Sequence, residues 1–109
     1  MDDVSKVYSV VIQTPAAEML IEHARFLAQV SESAAERLTD EFIVKAKTLE
    51  QMPERCPWLS GYSILEMKYR KLIFEKNYML IFQIIGNTVY IDAMVDCRSE
   101  YHWLLQETL

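Results

Sequence analysis

The feature that most constrains this chain is a change of hydrophobic period about half-way along it. Up to Glu50 the apolar residues recur at helical spacing, and from Ser63 onward they alternate with a period of two. A block of helices followed by a block of strands is the pattern of an α+β domain, with helices laid on one face of a sheet. In the first block Ala17, Leu20, Ile21, Ala24, Leu27 and Ala28 share one stripe, and Ala35, Leu38, Phe42, Ala46 and Leu49 share another. The spacing predicts helices over residues 15–30 and 34–50, separated by so few residues that they form an antiparallel hairpin. Thr14 stands where a helix cap is needed, followed by Pro15 at the first helical position. Ser33-Ala-Ala-Glu36 has capping-box spacing ahead of the second helix. A short β-branched and aromatic run over residues 7–13 predicts a strand before them.

Residues 52–61 carry Pro53, Pro57 and Gly61 and read as a loop, with Trp58 and Leu59 folding back onto the core. Strands are predicted over residues 64–75, 78–85 and 88–96. Glu75-Lys76-Asn77 and the pair Gly86, Asn87 supply the turns of an antiparallel meander. Residues 99–105 have room for one short terminal helix. The expected order is β-α-α-β-β-β, with the helical hairpin on one face of an antiparallel sheet. With 109 residues the chain is a single domain, 1–109.

Strict alternation assigns faces to the strands. Val89, Ile91, Ala93 and Val95 are expected toward the helices, since Asp92 and Asp96 on the other set are costly in a core. In the central strand Leu80, Phe82 and Ile84 are expected inward, leaving Met79, Ile81 and Gln83 outward. In the first meander strand Leu65, Met67 and Tyr69 are expected inward, and Glu66, Lys68 and Arg70 outward. The outer face then mixes Lys68, Arg70 and Gln83 with Met79, Ile81, Tyr90 and Met94. Such an apolar patch is covered either by the chain's own C-terminal segment or by a neighbouring molecule, and Met-rich surfaces adapt well to protein partners.

The net charge of −5 argues against gripping nucleic acid by overall charge, while leaving room for a local basic patch. No run approaches the ~18 apolar residues that span a bilayer, and the acidic start MDDVSK has no signal-peptide core behind it. A cytoplasmic protein is expected. Cys56 and Cys97 lie far apart, outside any metal-ligand spacing, and read as two ordinary thiols; neither a metal nor another cofactor is expected. His23 receives no role.

Lys68-Tyr-Arg-Lys-Leu-Ile-Phe-Glu-Lys-Asn-Tyr-Met-Leu-Ile-Phe-Gln-Ile, then Gly-Asn-Thr-Val-Tyr-Ile-Asp and Asp96-Cys-Arg98, resembles the RelE/ParE superfamily of toxins. There a Tyr-Arg-Lys-Leu strand leads to an Asn-Tyr strand and ends near a strand-terminal Arg. The upstream hairpin with Ala34-Ala35 and the Leu49 to Pro53 exit also look like the family. The resemblance implies the toxin of a type II toxin–antitoxin module, with growth inhibition and plasmid stabilisation as its role and a cognate antitoxin as its partner. One branch cleaves mRNA on the ribosome and another poisons DNA gyrase. A third reading is a protein-interaction module that has lost toxicity.

Carried over by residue, Arg70 and Arg98 match the family's basic positions, with His102 as a candidate acid/base. Lys68, Met79, Ile81, Met94 and Tyr101 are the candidate binding residues. The two arginines are expected to matter more to toxicity than His102. Met79 stands where the nuclease branch often has an Arg, and the acidic balance also departs from that branch. The plainer readings are that Arg70 and Lys68 solvate the sheet, and that Arg98 pairs with Asp96 or caps the terminal helix.

Overall fold

The computed structural model describes residues 6–59 and 67–98. In chain order these form β1 (Ser9–Ile12), α1 (Thr14–Ala28), α2 (Glu32–Thr48), a 3-10 turn (Pro53–Arg55), β2 (Arg70–Phe74), β3 (Tyr78–Ile85) and β4 (Thr88–Asp96). The expected order of elements stands. The expected terminal helix, and residues 64–66 of the expected long strand, lie outside the described residues.

The last three strands form the antiparallel meander. β1 joins β4 in parallel, so the sheet runs β1-β4-β3-β2 and is mixed rather than wholly antiparallel. No tight turn links β1 to the meander; its direction is set by where the helices return the chain, which alternation along a strand does not encode. The helix starts also shift. Gln13, in extended conformation, precedes α1, and its carbonyl accepts from the Ala17 amide at 3.1 Å, so Thr14 is already helical. Ser31 caps α2, its hydroxyl accepting from the Ala34 amide at 3.2 Å. Ser33 and Glu36 therefore sit inside the helix and form no capping box.

The helix-facing core joins Leu20 of α1 and Leu38 and Phe42 of α2 to Phe74, Leu80, Phe82, Val89, Ile91 and Met94 of the sheet. Each fully buried large side chain contributes about 1.5–3 kcal/mol. A second core lies on the far face, where Leu59, Met79, Ile81, Ala93 and Val95 pack together with Tyr69 and Cys97 alongside. Leu59 thus folds back onto the sheet, as expected, but onto the face away from the helices.

A β-bulge divides β4 into two phases. Phe82 pairs with Ile91 and Ile81 pairs with Ala93, so Asp92 is the extra residue. Asp92 stays on the far face, where its carboxylate accepts from the Gln83 amide at 2.6 Å. Ala93 follows it onto the same face, and every later side chain is inverted. Ala93 and Val95 therefore leave the helix side, where alternation had put them. Met94 moves into the helix-facing core, fully buried, and Asp96 turns toward α1.

β2 departs from expectation for a similar reason. Met67 takes a left-handed backbone (φ +61°) and forms a turn with Lys68, so the strand begins only at Arg70. Arg70, Leu72 and Phe74 pair with Phe82, Leu80 and Tyr78 and share their helix-facing side. Tyr69 packs on the far face instead. Met67 is exposed.

Candidate functional site

Arg70 is an anchor for the loop that leaves α2. Its Nη1 donates to the carbonyl of Cys56 at 2.7 Å and to that of Glu54 at 3.1 Å. Its guanidinium lies 3.7 Å from the ring centroid of Trp58, which pairs with Arg70 across an isolated bridge. The fixed fork of arginine suits this combination of stacking and bonding to carbonyls, which a lysine would not reproduce. Close by, the Tyr8 hydroxyl donates to the Glu54 carboxylate, and that bond chiefly holds the Glu54 carboxyl below its ordinary range.

Arg98 stands just beyond β4 and is gripped by Asp96. Its Nε and Nη2 donate to the two carboxylate oxygens at 3.0 and 2.9 Å, and its amide donates to Oδ1 at 2.9 Å. Asp96 is only 7% exposed. Its hydrogen bonds from the Arg98 side chain hold its pKa down against the opposing effect of burial, and the Arg98 pKa is raised by the same pair. A cleft of about 290 Å³ opens here, lined by Glu22, His23, Phe26 and Leu27 of α1 together with Tyr78, Asp96 and Arg98. The His23 and Tyr78 rings meet edge to face at 5.6 Å.

The two arginines do not come together. Arg70 pairs with Phe82, whereas Phe74 pairs with Tyr78, and Tyr78 with Asp96. Four strand residues at about 3.3 Å each offset the two sites by roughly 13 Å along the strands, and β3 lies between them. Arg70 was expected on the open outer face, yet it lies on the helix side. Met79, Ile81 and Met94 were expected as an exposed patch and are all buried: the first two in the cluster with Leu59, the third under the helices. Lys68 is exposed, with its ammonium 5.1 Å from the Tyr69 ring centroid. Tyr101 and His102 lie outside the described residues. The cleft at His23, Tyr78 and Asp96 was missed, because the bulge that turns Asp96 toward α1 leaves no mark in the hydrophobic pattern.

The hairpin carries a third feature. A groove of about 610 Å³ runs between α1 and α2, floored by Leu20, Ile21, Ala24, Ala28 and Ala35, with Arg25, Glu36 and Asp40 along it. Exposed apolar side chains elsewhere on the hairpin include Phe26 on α1, Val30 just beyond it, and Ile43 and Val44 on α2. Among the described residues no cluster of three or more His, Cys, Asp or Glu could hold a metal ion, and no helix is long and apolar enough to cross a membrane.

A two-helix layer on a four-stranded sheet, with the helices inserted between β1 and the meander, is the architecture of RelE/ParE-type toxins. A chain of the chromosomal ParDE toxin–antitoxin system from P. aeruginosa superposes with a TM-score of 0.65 at 16% identity, covering 84% of this chain and 97% of that one. The family described as the ParE toxin of the type II toxin–antitoxin system parDE matches residues 10–100, and the chain belongs to that family. No curated protein sequence matches it. It is the toxin component of a type II toxin–antitoxin module, with a cognate antitoxin as partner.

Proposed function

We propose that this toxin arrests growth by binding a protein target, DNA gyrase, without cutting RNA, and that its antitoxin docks on the helical hairpin. The observation that carries the first half is the employment of the cations. RelE-type cleavage needs cationic groups converging on a phosphate with an acid/base beside them. Here Arg70 is occupied by loop carbonyls and Trp58, and Arg98 by Asp96, at opposite ends of the sheet. Met79, at the position where the nuclease branch often has arginine, is buried among apolar neighbours. The groove between α1 and α2 and the exposed Ile21 in it support the second half, because an amphipathic helix laid there covers apolar surface the fold leaves open.

Two assays with purified toxin decide the target. Gyrase supercoiling of relaxed plasmid should stop, with cleaved DNA accumulating, while primer extension on mRNA in a translating extract should show no new ends. New mRNA ends with gyrase untouched would reverse the assignment. The ribonuclease reading keeps one specific observation in its favour: the cleft that assembles His23, Tyr78, Asp96 and Arg98. His23→Ala distinguishes the two readings, since acid/base chemistry in that cleft would lose its cleavage with the imidazole. Co-expression with a cognate antitoxin, followed by size exclusion, checks the docking half. The complex should weaken with Ile21→Glu or Ala28→Glu in the groove and survive Lys71→Gln on β2.

A further inference from the structure

The groove between α1 and α2 carries charges of both signs that its own molecule leaves unpaired. At its bottom Leu20 and Ala35 are buried and Ala24 is half-buried, while Ile21 and Ala28 are exposed. The Thr39 hydroxyl donates to the Ala35 carbonyl at 3.1 Å, so its proton is already used. Arg25 stands on the α1 bank, and Glu36 and Asp40 stand on the α2 bank; all three are exposed. None of them enters an ion pair among the described residues, where the pairs join Arg37 to Glu75 and Arg98 to Asp96. Arg37, next to Glu36 in sequence, is thus spent outside the groove.

The level of these charges along the hairpin decides what can meet them. α1 ends at Ala28 and α2 starts at Glu32, so the connection is short and the helices run antiparallel. Arg25 lies about one turn before the end of α1 and Glu36 about one turn after the start of α2, which sets them at nearly the same height on opposite banks. Asp40 lies one turn below Glu36 on the same helix face. A two-fold dimer offers the same patch from both copies. With its axis along the groove, α1 of each copy lies on α2 of the other, and the helices in contact run antiparallel. Arg25 of one copy then faces Glu36 of the other, with Asp40 within reach of the guanidinium, and the contact is made twice. An axis across the groove would set α1 on α1 and pair no opposite charges. Ala24, Ala28 and Ala35 between the banks let the helices approach closely.

We propose that in the free toxin a second copy of this chain occupies the groove, forming a two-fold dimer in which Arg25 of each copy pairs with Glu36 and Asp40 of the other. The dimer covers the exposed Ile21 and Ala28 of both copies with apolar surface of the same kind. It goes beyond the docking of the antitoxin and does not rest on it: the two occupants compete for one groove, and the dimer is a state of the toxin alone.

The test is sedimentation equilibrium of the full chain without antitoxin, from micromolar to submillimolar concentration. Salt of ~150 mM, with a Debye length of ~8 Å, screens the net charge of −5 that each copy carries. A reversible monomer–dimer equilibrium is expected. Arg25→Glu alone, and Glu36→Arg/Asp40→Arg alone, should each weaken the dimer at least ~30-fold, because like charges then face each other at both symmetry-related contacts. An equimolar mixture of the two variants should dimerise again, since every bank of one meets the opposite charge on the other. A variant that had simply unfolded would not be restored by mixing, and circular dichroism checks each one alone. A toxin that stays monomeric at every concentration, a dimer untouched by both reversals, or a mixture of folded variants that stays monomeric overturns the proposal.

Discussion

Each face of the sheet carries a buried core, and the two cores are built by different means. On one face two helices supply Leu20, Leu38 and Phe42 against Phe82, Leu80 and Ile91. On the other, Leu59, Met79, Ile81, Ala93 and Val95 pack together, with Tyr69, Cys97 and Met19 against them. The first cover is regular structure with its own hydrogen bonds. Among the described residues the second is tied down by two backbone bonds between residues 57–59 and 69–71 and by the Arg70 side chain. The difference teaches that a position resembling a family's functional arginine can be spent on holding a lid in place. It also shows that an apolar strand face can share its core with a residue of a neighbouring loop, as Leu59 does here.

The largest effect should come from the helix side. Phe82→Ala empties a fully buried site facing both helices and should cost about 3–5 kcal/mol in urea unfolding. Leu59→Ala, equally buried but set in a loop that can settle into the gap, should fall at the low end of the large-to-small range, about 2–3 kcal/mol. If Leu59→Ala costs as much as Phe82→Ala, the two faces are not held differently after all.

Arg70→Ala comes next. It removes two bonds to carbonyls and the stack on Trp58, so a loss of about 2–3 kcal/mol is expected, together with increased proteolysis between α2 and β2. Any loss of toxicity in this variant should therefore travel with a fall in Tm. A variant that loses toxicity while keeping its full Tm would restore Arg70 as a functional cation.

Asp96 gives a smaller effect, read by pH. Its pKa is lowered in the folded state, chiefly by the Arg98 side chain. The stability it brings is thus present above the unfolded carboxyl value, near 4, and is lost as pH falls through the lower folded value. Asp96→Asn should melt below the parent at neutral pH, and the gap should close under acid. A gap that is constant with pH would mean that the ion pair contributes nothing through its charge.

Element order, helix hairpin and meander were legible because each depends on periodicity, which a single sequence carries. Leu20, Phe42 and Phe82 sit where their spacing put them. What escaped was set by single backbone events. The left-handed Met67 shortens β2 and leaves Arg70 on the helix side. Asp92 inverts the phase of four residues, burying Met94 and turning Asp96 toward α1. Neither residue is a glycine or proline, so neither announces a break. The pairing of Arg98 with Asp96 was within reach as the plainer of two readings. The convergence of His23 on that pair was not, since it depends on the bulge.

The smallest expected effect tests the phase inversion itself. Deleting one residue from a strand normally sends every later side chain to the wrong face, because the side-chain period is two. Asp92 should be the exception. It has no partner across the ladder, with Phe82 against Ile91 and Ile81 against Ala93. Without it, Ile91 still faces the helices, Ala93 still faces Leu59, and Met94, Val95 and Asp96 keep their sides. What goes is the bond from Gln83, worth about 0.5–1.5 kcal/mol, and some local twist. Thermal unfolding of the Asp92 deletion should therefore stay cooperative with a modest fall in Tm. Deletion of Tyr90, two residues earlier and paired with Gln83, should abolish folding, because Ile91 would move to the far face. If the Asp92 deletion is as damaging as the Tyr90 deletion, the bulge is not what sorts β4 between the two cores.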